Sequence, residues 1–211
     1  MSVTTHHEKV WIEGTAGKLQ GLYQQGKADK PAVVVCHPHP LYGGTMRNKV
    51  VYWMARVFED LGCSVLRFNF RGVEASEGAW DEGRGESDDV IAALNWLEEM
   101  NSDTPLWLAG FSFGTYASLH AAQHEARVEA LFTVAPAVNI WSFDFALQEL
   151  RPLTVVSGTA DEIVPFTDVQ HWIEAMPKHV HFHRIEGAGH FFPQHMQMMM
   201  DALSQEANAL L

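Results

Sequence analysis

The sequence predicts an α/β protein built on a mostly parallel sheet of about eight strands, with helices on both faces. The main observation is an alternation that begins at residue 31, where short apolar runs rich in β-branched residues are separated by longer segments of helical period. The second observation is a length of 211 residues without an internal repeat or a linker rich in Pro, Gly or Ser. This length indicates a single domain over residues 1–211.

The predicted strands are short apolar runs of the kind that lie buried between two layers of helices. Six of them fall in the alternating region, over residues 33–36, 64–69, 106–109, 130–135, 153–157 and 180–185. Upstream, residues 9–13 and 18–23 flank a turn that contains Gly14 and Gly17. These two segments are expected to form an antiparallel hairpin at the edge of the sheet.

The helical segments carry apolar residues at the spacing of one buried face. Helices are predicted over residues 48–61, 86–100, 114–124, 167–176 and 192–210. The stretch between residues 135 and 153 contains several aromatic residues and has room for a short helix over a site. It is too short for a folded lid, so no lid domain is expected.

The charge of the chain argues against two classes of partner. The formal net charge is -12, and no stripe of Lys and Arg interrupts it, which excludes a nucleic-acid-binding protein. No run of about 18 apolar residues is present to cross a membrane. Because residues 1–14 lack the pattern of a signal peptide, a cytoplasmic location is expected. The oligomeric state stays open between a monomer and a homodimer.

Cys36 and Cys63 are the two cysteines, and each lies within an apolar run that predicts a buried strand. A thiol in such a place usually packs as a small apolar group, so both are expected to be reduced and structural. Cys36 directly precedes His37, which raises the alternative of a catalytic thiol. Its place inside a strand, rather than on an exposed turn, disfavours that alternative.

Residues 110–114 read Gly-Phe-Ser-Phe-Gly and connect an apolar strand to a helical segment. A sharp turn between strand and helix lifts the central serine above the sheet, and its flanking positions have no room for side chains. The N-terminus of the following helix directs free amides toward developing negative charge. The motif therefore predicts Ser112 as a nucleophile.

Two further residues follow Ser112 in the order acid, then histidine, that accompanies this motif. Asp161 and His190 each lie in a glycine-containing loop just beyond a predicted strand, at the sheet edge where ligand sites of parallel sheets lie. We expect His190 to act as general base and Asp161 to orient it. Glu162, next to Asp161, is an alternative acid, and helix capping is an alternative role for Asp161.

Together these motifs resemble the α/β-hydrolase superfamily, and more closely a group of small, lidless bacterial serine hydrolases. The resemblance spans nearly the whole chain and is carried by residues 37–45, 67–72, 110–114, 158–161 and 189–190. It implies an α/β-hydrolase fold and a Ser-His-Asp triad that requires no cofactor.

The resemblance also implies an oxyanion hole formed by the backbone amide of Phe113 and by one amide from the loop after strand 33–36. Pro38 and Pro40 have no N–H to donate, so His39 is the nearest donor and Leu41 is the alternative. Within the same pattern, Arg71 is expected to anchor its loop internally. Glu74 replaces a glycine that is frequent in the superfamily, and a charge there is expected near the rim of the site.

Aromatic residues near these motifs indicate the size and chemistry of the substrate. The aromatic residues Tyr42, Trp80, Trp141 and Phe143 are expected near a pocket for a small-molecule acyl substrate of small or medium size, with Tyr42, Trp141 and Phe143 lining it. Hydrolysis of a carboxylic ester is the first hypothesis. The alternatives are thioester or small-amide hydrolysis, cofactor-free peroxidation of carboxylic acids, and a binding module without turnover.

No metal is expected. The histidine pairs at positions 37/39 and 181/183 lack a third ligand at metal-site spacing.

Overall fold

The computed structural model describes residues 7–211, and its central feature is an eight-stranded sheet in the order β1-β2-β4-β3-β5-β6-β7-β8. The strands are β1 (Glu8–Gly14), β2 (Gly17–Gln24), β3 (Ala32–Cys36), β4 (Ser64–Phe68), β5 (Leu106–Phe111), β6 (Val128–Val134), β7 (Leu153–Gly158) and β8 (His181–Ile185). The hairpin of β1 and β2 is antiparallel, and β2 joins β4 in antiparallel register. All other neighbours are parallel, so the predicted mostly parallel sheet is confirmed.

Within residues 7–211, five helices cover the two faces of this sheet. They are α1 (Lys49–Asp60), α2 (Arg84–Met100), α3 (Phe113–Ala122), α4 (Phe166–Ala175) and α5 (Met196–Leu210). Side chains alternate along the fully buried β3, so Val33 and Val35 pack in one core with α1 and α5. Val34 packs in the second core, with α2, α3 and α4. The carboxyl ends of the parallel strands therefore meet at one sheet edge between two helical layers.

The start of α5 differs from the prediction. The apolar pattern indicates a helix from residue 192, whereas the structure begins it at Met196. Phe192 has a φ of 51° and donates its N–H to the Gly189 carbonyl at 3.0 Å, and Pro193 follows it. Phe192 is fully buried. The apolar Phe192 side chain therefore packs in a buried turn that precedes the helix, and not in the first turn of the helix.

The connection between β6 and β7 contains a single 3-10 turn, Asp144–Gln148, and no lid domain. Within residues 7–211, none of the helices combines the length and apolar character needed to cross a membrane.

Arg71 fixes the loop that follows β4. Its guanidinium donates to both carboxylate oxygens of Asp89 on α2, at 2.7 to 3.1 Å, and to the Thr15 hydroxyl at 3.0 Å. The Arg71 backbone N–H also donates to Asp89, at 2.9 Å. Both partners are buried, so this paired contact anchors the loop internally, as the sequence predicts.

Candidate active site

Ser112 lies at the junction of β5 and α3 with backbone angles of φ 54° and ψ -118°. Such a conformation costs a non-glycine residue about 1–3 kcal/mol and persists only where its surroundings enforce it. Here the Ser112 N–H donates to the Val134 carbonyl at 2.9 Å. The Ser112 carbonyl accepts from the Thr115 N–H at 3.0 Å and from the Thr115 hydroxyl at 2.6 Å. The strained turn is thereby held from both sides.

The glycines on either side of the turn are required by close backbone approaches. A Cβ at position 110 would lie 2.3 Å from the Gly114 carbonyl oxygen, and a Cβ at position 114 would lie 2.4 Å from the Cys36 carbonyl oxygen. Both separations are far below van der Waals contact. The pentapeptide is thus explained by the packing of α3 against β3 and of the turn on itself.

The structure brings together the three side chains predicted for the triad. The Ser112 Oγ lies 3.1 Å from the His190 Nε2, and the His190 Nδ1 lies 2.8 Å from the Asp161 Oδ2. All three residues are buried. They are supplied by the turns after β5, β7 and β8, so they meet at the common carboxyl edge of the sheet.

Asp161 is held in place by its second carboxylate oxygen. The Oδ1 accepts from the backbone N–H of Ile163 at 2.9 Å and of Val164 at 2.7 Å. Glu162 instead accepts from the backbone N–H of His190 at 3.1 Å. Asp161 therefore faces the imidazole, while Glu162 supports the loop. A carboxylate accepts from the His190 Nδ1–H, which leaves the Nε2 lone pair directed at Ser112.

The loop after β3 contains a short 3-10 helix, Pro40–Tyr42, beside Ser112. The Leu41 N–H donates to the Nδ1 of the His39 side chain at 3.2 Å. Leu41 is therefore occupied, which favours His39 among the two amides that the sequence leaves open. Phe113 is the first residue of α3, a position where the N–H has no acceptor within the helix.

The His39 ring lies within a cluster of aromatic side chains. Its centroid is 4.5 Å from that of Trp80, 4.7 Å from Tyr42 and 5.2 Å from Phe113. Burial lowers the pKa of the His39 imidazole, so the ring is neutral near pH 7. Because the Nδ1 accepts from Leu41, the Nε2 carries the hydrogen.

A cavity of about 530 Å³ opens onto Ser112 and His190. Its lining contains no Asp, Glu, Lys or Arg, and consists mainly of apolar and aromatic residues. The lining residues are Pro38, His39, Tyr42, Asn48, Ser112, Phe113, Ala137, Ile140, Trp141, Ile163, His190 and Phe191. The site is thus suited to an uncharged group.

Tyr42 and Trp141 line this cavity as expected, whereas Phe143 does not, and Trp80 lies near it only through its contacts with His39 and Trp141. Phe143 is 3% exposed and packs beneath the cavity, with its ring 5.8 Å from Tyr116 and 5.4 Å from Trp172. The expectation for Phe143 is therefore wrong. Phe143 precedes the 3-10 turn Asp144–Gln148, and its ring packs into the core. An irregular segment has no period from which that direction could be read.

Three large apolar lining residues, Ile140, Ile163 and Phe191, are absent from the pocket residues expected from the sequence. Phe191 follows His190 directly, and Ile163 lies two residues after Asp161. All three are exposed at the mouth of the cavity, at 60%, 42% and 46%. For Ile163 and Phe191, adjacency to triad residues was the available signal, whereas Ile140 had none.

Glu74, which is expected near the rim of the site, does not line the cavity that contains Ser112. It accepts from the Asn69 side chain at 2.9 Å and lies 3.5 Å from the Arg47 guanidinium. It lines a separate groove on the outer side of the loop after β3. The charge is therefore paired away from the site.

The two histidine pairs of the sequence have separate hydrogen-bond partners. His37 is fully buried, donates its Nδ1–H to the Pro38 carbonyl at 2.6 Å and accepts the Phe70 N–H at 3.1 Å, while His39 faces the cavity. His181 and His183 both contact Glu206 on α5. Over residues 7–211, no group of three or more His, Cys, Asp or Glu side chains has an arrangement that could hold a metal ion.

Comparison with known proteins places this geometry in a family. The family profile described as the alpha/beta hydrolase fold matches residues 31–150. An α/β serine hydrolase homologue from Coxiella burnetii is 39% identical, with a TM-score of 0.89, over 97% of this chain and 99% of its own. XC6422 from Xanthomonas campestris, described as an α/β serine hydrolase without lid, is 34% identical, with a TM-score of 0.90, over 100% and 98%.

The names of the curated relatives do not agree on one class of substrate. The uncharacterized protein RP471 from Rickettsia prowazekii is 34% identical over 87% of this chain and 82% of its own. The lysophosphatidylserine lipase ABHD12 of Mus musculus is 28% identical over 62% of this chain, which spans only 33% of that lipase. Thiohydrolase aneE of Aspergillus aculeatus is 27% identical over 64% of this chain and 43% of its own.

The family profile covers more than half of the sequence, and the Coxiella homologue aligns over almost all of it. The chain therefore belongs to the α/β-hydrolase superfamily and is a hydrolase of the α/β serine hydrolase type.

Proposed function

We propose that the protein hydrolyses small or medium-sized carboxylic esters through an acyl-enzyme on Ser112, with His190 as general base and Asp161 as its orienting group. The observation that carries this proposal is the continuous hydrogen-bonded chain from the Ser112 hydroxyl through His190 to Asp161. This series of hydrogen bonds ends at the Asp161 carboxylate, which two backbone amides hold in place. It is the arrangement that activates a serine nucleophile.

In the first half-reaction, the Ser112 oxygen attacks the ester carbonyl carbon while His190 Nε2 takes the hydroxyl proton. The resulting imidazolium is stabilised by Asp161 across 2.8 Å. The tetrahedral intermediate then expels the alkoxide, which receives the proton from His190 and leaves as the alcohol. Water attacks the acyl-enzyme by the same proton transfers and releases the carboxylic acid.

The developing oxyanion would be held by the amides of Phe113 and His39. The Phe113 N–H is at the positive end of α3. The engagement of Leu41 with the His39 ring supports His39 as the second donor. Loss of one such donor typically lowers the rate by about 10²–10³.

The substrate range follows from the cavity. About 530 Å³ with no charged carboxylate, ammonium or guanidinium in the lining favours neutral esters of limited size. Burial of an unpaired substrate charge among apolar walls would be unfavourable. The enzyme is proposed to act in the cytoplasm, in keeping with two free, buried cysteines.

Labelling with a fluorophosphonate probe tests the nucleophile. We expect one covalent adduct on Ser112 in the wild type, found by peptide mass spectrometry, and none in Ser112→Ala or His190→Ala. Ser118→Ala is the matched control, because Ser118 is a buried serine of the same helix that donates to the Thr115 carbonyl. It should be labelled normally. A binding module without turnover would give no adduct in the folded wild type.

Hydrolysis of graded p-nitrophenyl esters tests the reaction and the size of the cavity. We expect kcat/KM to be highest for short and medium acyl chains and to decline for long ones. Ser112→Ala should lack turnover while keeping the circular dichroism spectrum of the wild type. Labelling of Ser112 without hydrolysis of any ester would contradict the proposed substrate class and leave the nucleophile standing.

Thioester hydrolysis is the second candidate, favoured by the similarity to thiohydrolase aneE. The two reactions use the same residues and differ in the leaving atom, so a matched pair separates them. S-ethyl thiobutanoate and ethyl butanoate carry the same acyl group. A kcat/KM ratio that greatly favours the thioester, beyond the ratio for alkaline hydrolysis, would replace the ester in the proposal.

A further inference from the structure

Two groups of side chains line much of the cavity at Ser112. Phe191 and Ile163 come from the loops of His190 and Asp161, and the Phe191 ring contacts the His190 ring, with centroids 5.0 Å apart. A cluster of four contacting rings, named the aromatic wall, is formed by His39, Tyr42, Phe113 and Trp141. The first group supplies one ring and the second supplies four, so the two groups are expected to receive different halves of an ester.

The rings of the aromatic wall support one another. His39 lies 4.7 Å from Tyr42 and 5.2 Å from Phe113, and Trp141 lies 5.3 Å from Phe113, measured between centroids. Behind the wall, Trp80 lies 4.5 Å from His39 and 6.0 Å from Trp141. The wall is thus assembled before any ligand binds, which reduces the entropy lost on binding.

The proposed reaction orients the substrate between these two groups of side chains. The leaving oxygen must lie within reach of His190 Nε2, because that atom returns the proton, so the alcohol part faces Phe191 and Ile163. The oxyanion faces the amides of Phe113 and His39. The acyl group takes the remaining direction, along the aromatic wall.

On the strength of this placement, and resting on the proposed ester hydrolysis, we infer that the preferred substrates carry an uncharged planar aromatic ring in the acyl group. The ring would lie against Trp141 and His39. Aromatic rings in offset or edge-on contact gain free energy beyond that of buried area. Burial keeps His39 neutral, so the wall presents no cation that would instead select an anionic ring.

Two pairs of esters test the inference. Ethyl 3-phenylpropanoate and ethyl 3-cyclohexylpropanoate place a planar or a puckered ring in the acyl group. 2-Phenylethyl acetate and 2-cyclohexylethyl acetate place the same rings in the alcohol. Because cyclohexyl buries at least as much apolar area as phenyl, burial alone predicts a phenyl-to-cyclohexyl ratio of kcat/KM near or below one.

We expect this ratio to be roughly two- to tenfold in the acyl pair, the range of an aromatic contact, and smaller in the alcohol pair. Trp141→Leu should bring the acyl ratio close to one. Tyr42→Leu should also lower the acyl ratio, and it changes a residue that is 86% exposed and so tolerates truncation in the folded protein. Trp11→Leu is the matched control, since Trp11 is an exposed tryptophan of β1 outside the cavity, and it should change neither rate nor ratio.

The outcomes separate the two proposals. If the acyl pair shows no phenyl preference, the aromatic acyl site is overturned while ester hydrolysis is retained. The same conclusion follows if the preference survives in folded Trp141→Leu, or in Tyr42→Leu should Trp141→Leu fail to fold. A larger preference in the alcohol pair also overturns it, because the ring would then bind with the leaving group. If none of the four esters is hydrolysed but a short-chain p-nitrophenyl ester is, the aromatic acyl site is overturned and ester hydrolysis is retained. If the p-nitrophenyl ester is not hydrolysed either, both proposals are overturned.

Discussion

The Asp161 carboxylate binds His190 with one oxygen and the backbone with the other. Its Oδ2 lies 2.8 Å from the His190 Nδ1, and its Oδ1 accepts from the N–H groups of Ile163 and Val164 at 2.9 and 2.7 Å. The two oxygens are therefore not equivalent. This difference determines how the side-chain amide of an asparagine at position 161 would be oriented.

Asp161→Asn is expected to lower kcat by about 10⁴. The Asn oxygen must accept from the two backbone amides, so its NH₂ group would face the His190 Nδ1. His190 would then carry its hydrogen on Nε2 and could not accept the proton of Ser112. Steady-state kinetics with a p-nitrophenyl ester measures the loss.

Glu162→Gln is the control for the loss of a neighbouring charge. Its amide oxygen can still accept from the His190 backbone N–H, where Glu162 does so at 3.1 Å. We expect this variant to stay within a few-fold of the wild type. Equal losses in Asp161→Asn and Glu162→Gln would contradict the assigned role of Asp161.

The two thiols are expected to be unreactive in the folded protein. Cys36 is fully buried, and burial raises the pKa of its thiol. Burial also raises the pKa of the Cys63 thiol to about 11. Since the thiolate is the reactive form, iodoacetamide near pH 8 should modify neither residue without denaturant and both with it. Alkylation of Cys36 in the folded protein, accompanied by loss of turnover, would instead support Cys36 as the nucleophile.

Gly85→Ala is expected to destabilise the protein by about 3–5 kcal/mol, the cost of breaking a buried ion pair. A Cβ at position 85 would lie 1.9 Å from the Arg71 Nη1 and would push the guanidinium away from Asp89. Urea unfolding followed by circular dichroism gives the free energy of unfolding.

A double-mutant cycle separates this cause from a general effect of alanine in α2. Arg71→Met should destabilise the protein by a similar amount, because it leaves Asp89 buried without its partner. The double variant should lose far less than the sum of the single losses. Additive losses would mean that Gly85 acts independently of Arg71.

The sequence predicted those parts of the site that depend on backbone geometry. Gly110 and Gly114 lie at close backbone approaches that leave no room for a Cβ, so their spacing around Ser112 predicts the turn directly. Asp161 and His190 could be placed because loops after parallel strands meet at one edge. The alternation of Val33, Val34 and Val35 likewise places helices on both faces.

The parts that the sequence could not supply depend on single side-chain contacts between distant segments. Phe143 lies under Tyr116 and not in the cavity, and Phe192 forms a buried turn where its apolar pattern predicts a helix. The bond from the Leu41 N–H to the His39 ring, which bears on the oxyanion hole, arises from one rotamer. Neither composition nor period encodes such contacts.

His37 is expected to make the folded protein sensitive to acid. It is fully buried, accepts the Phe70 N–H at 3.1 Å, and burial lowers its pKa to about 3. In the unfolded chain a histidine titrates near 6.5, so between these values the unfolded state binds the extra proton. The contribution of His37 is complete above about pH 6.5 and falls with pH toward 3, by at most about 1.4 kcal/mol per pH unit. Urea unfolding at about pH 7 and about pH 4.5 should show a smaller difference for His37→Gln than for the wild type, and equal differences would exclude His37 as a source of the acid sensitivity.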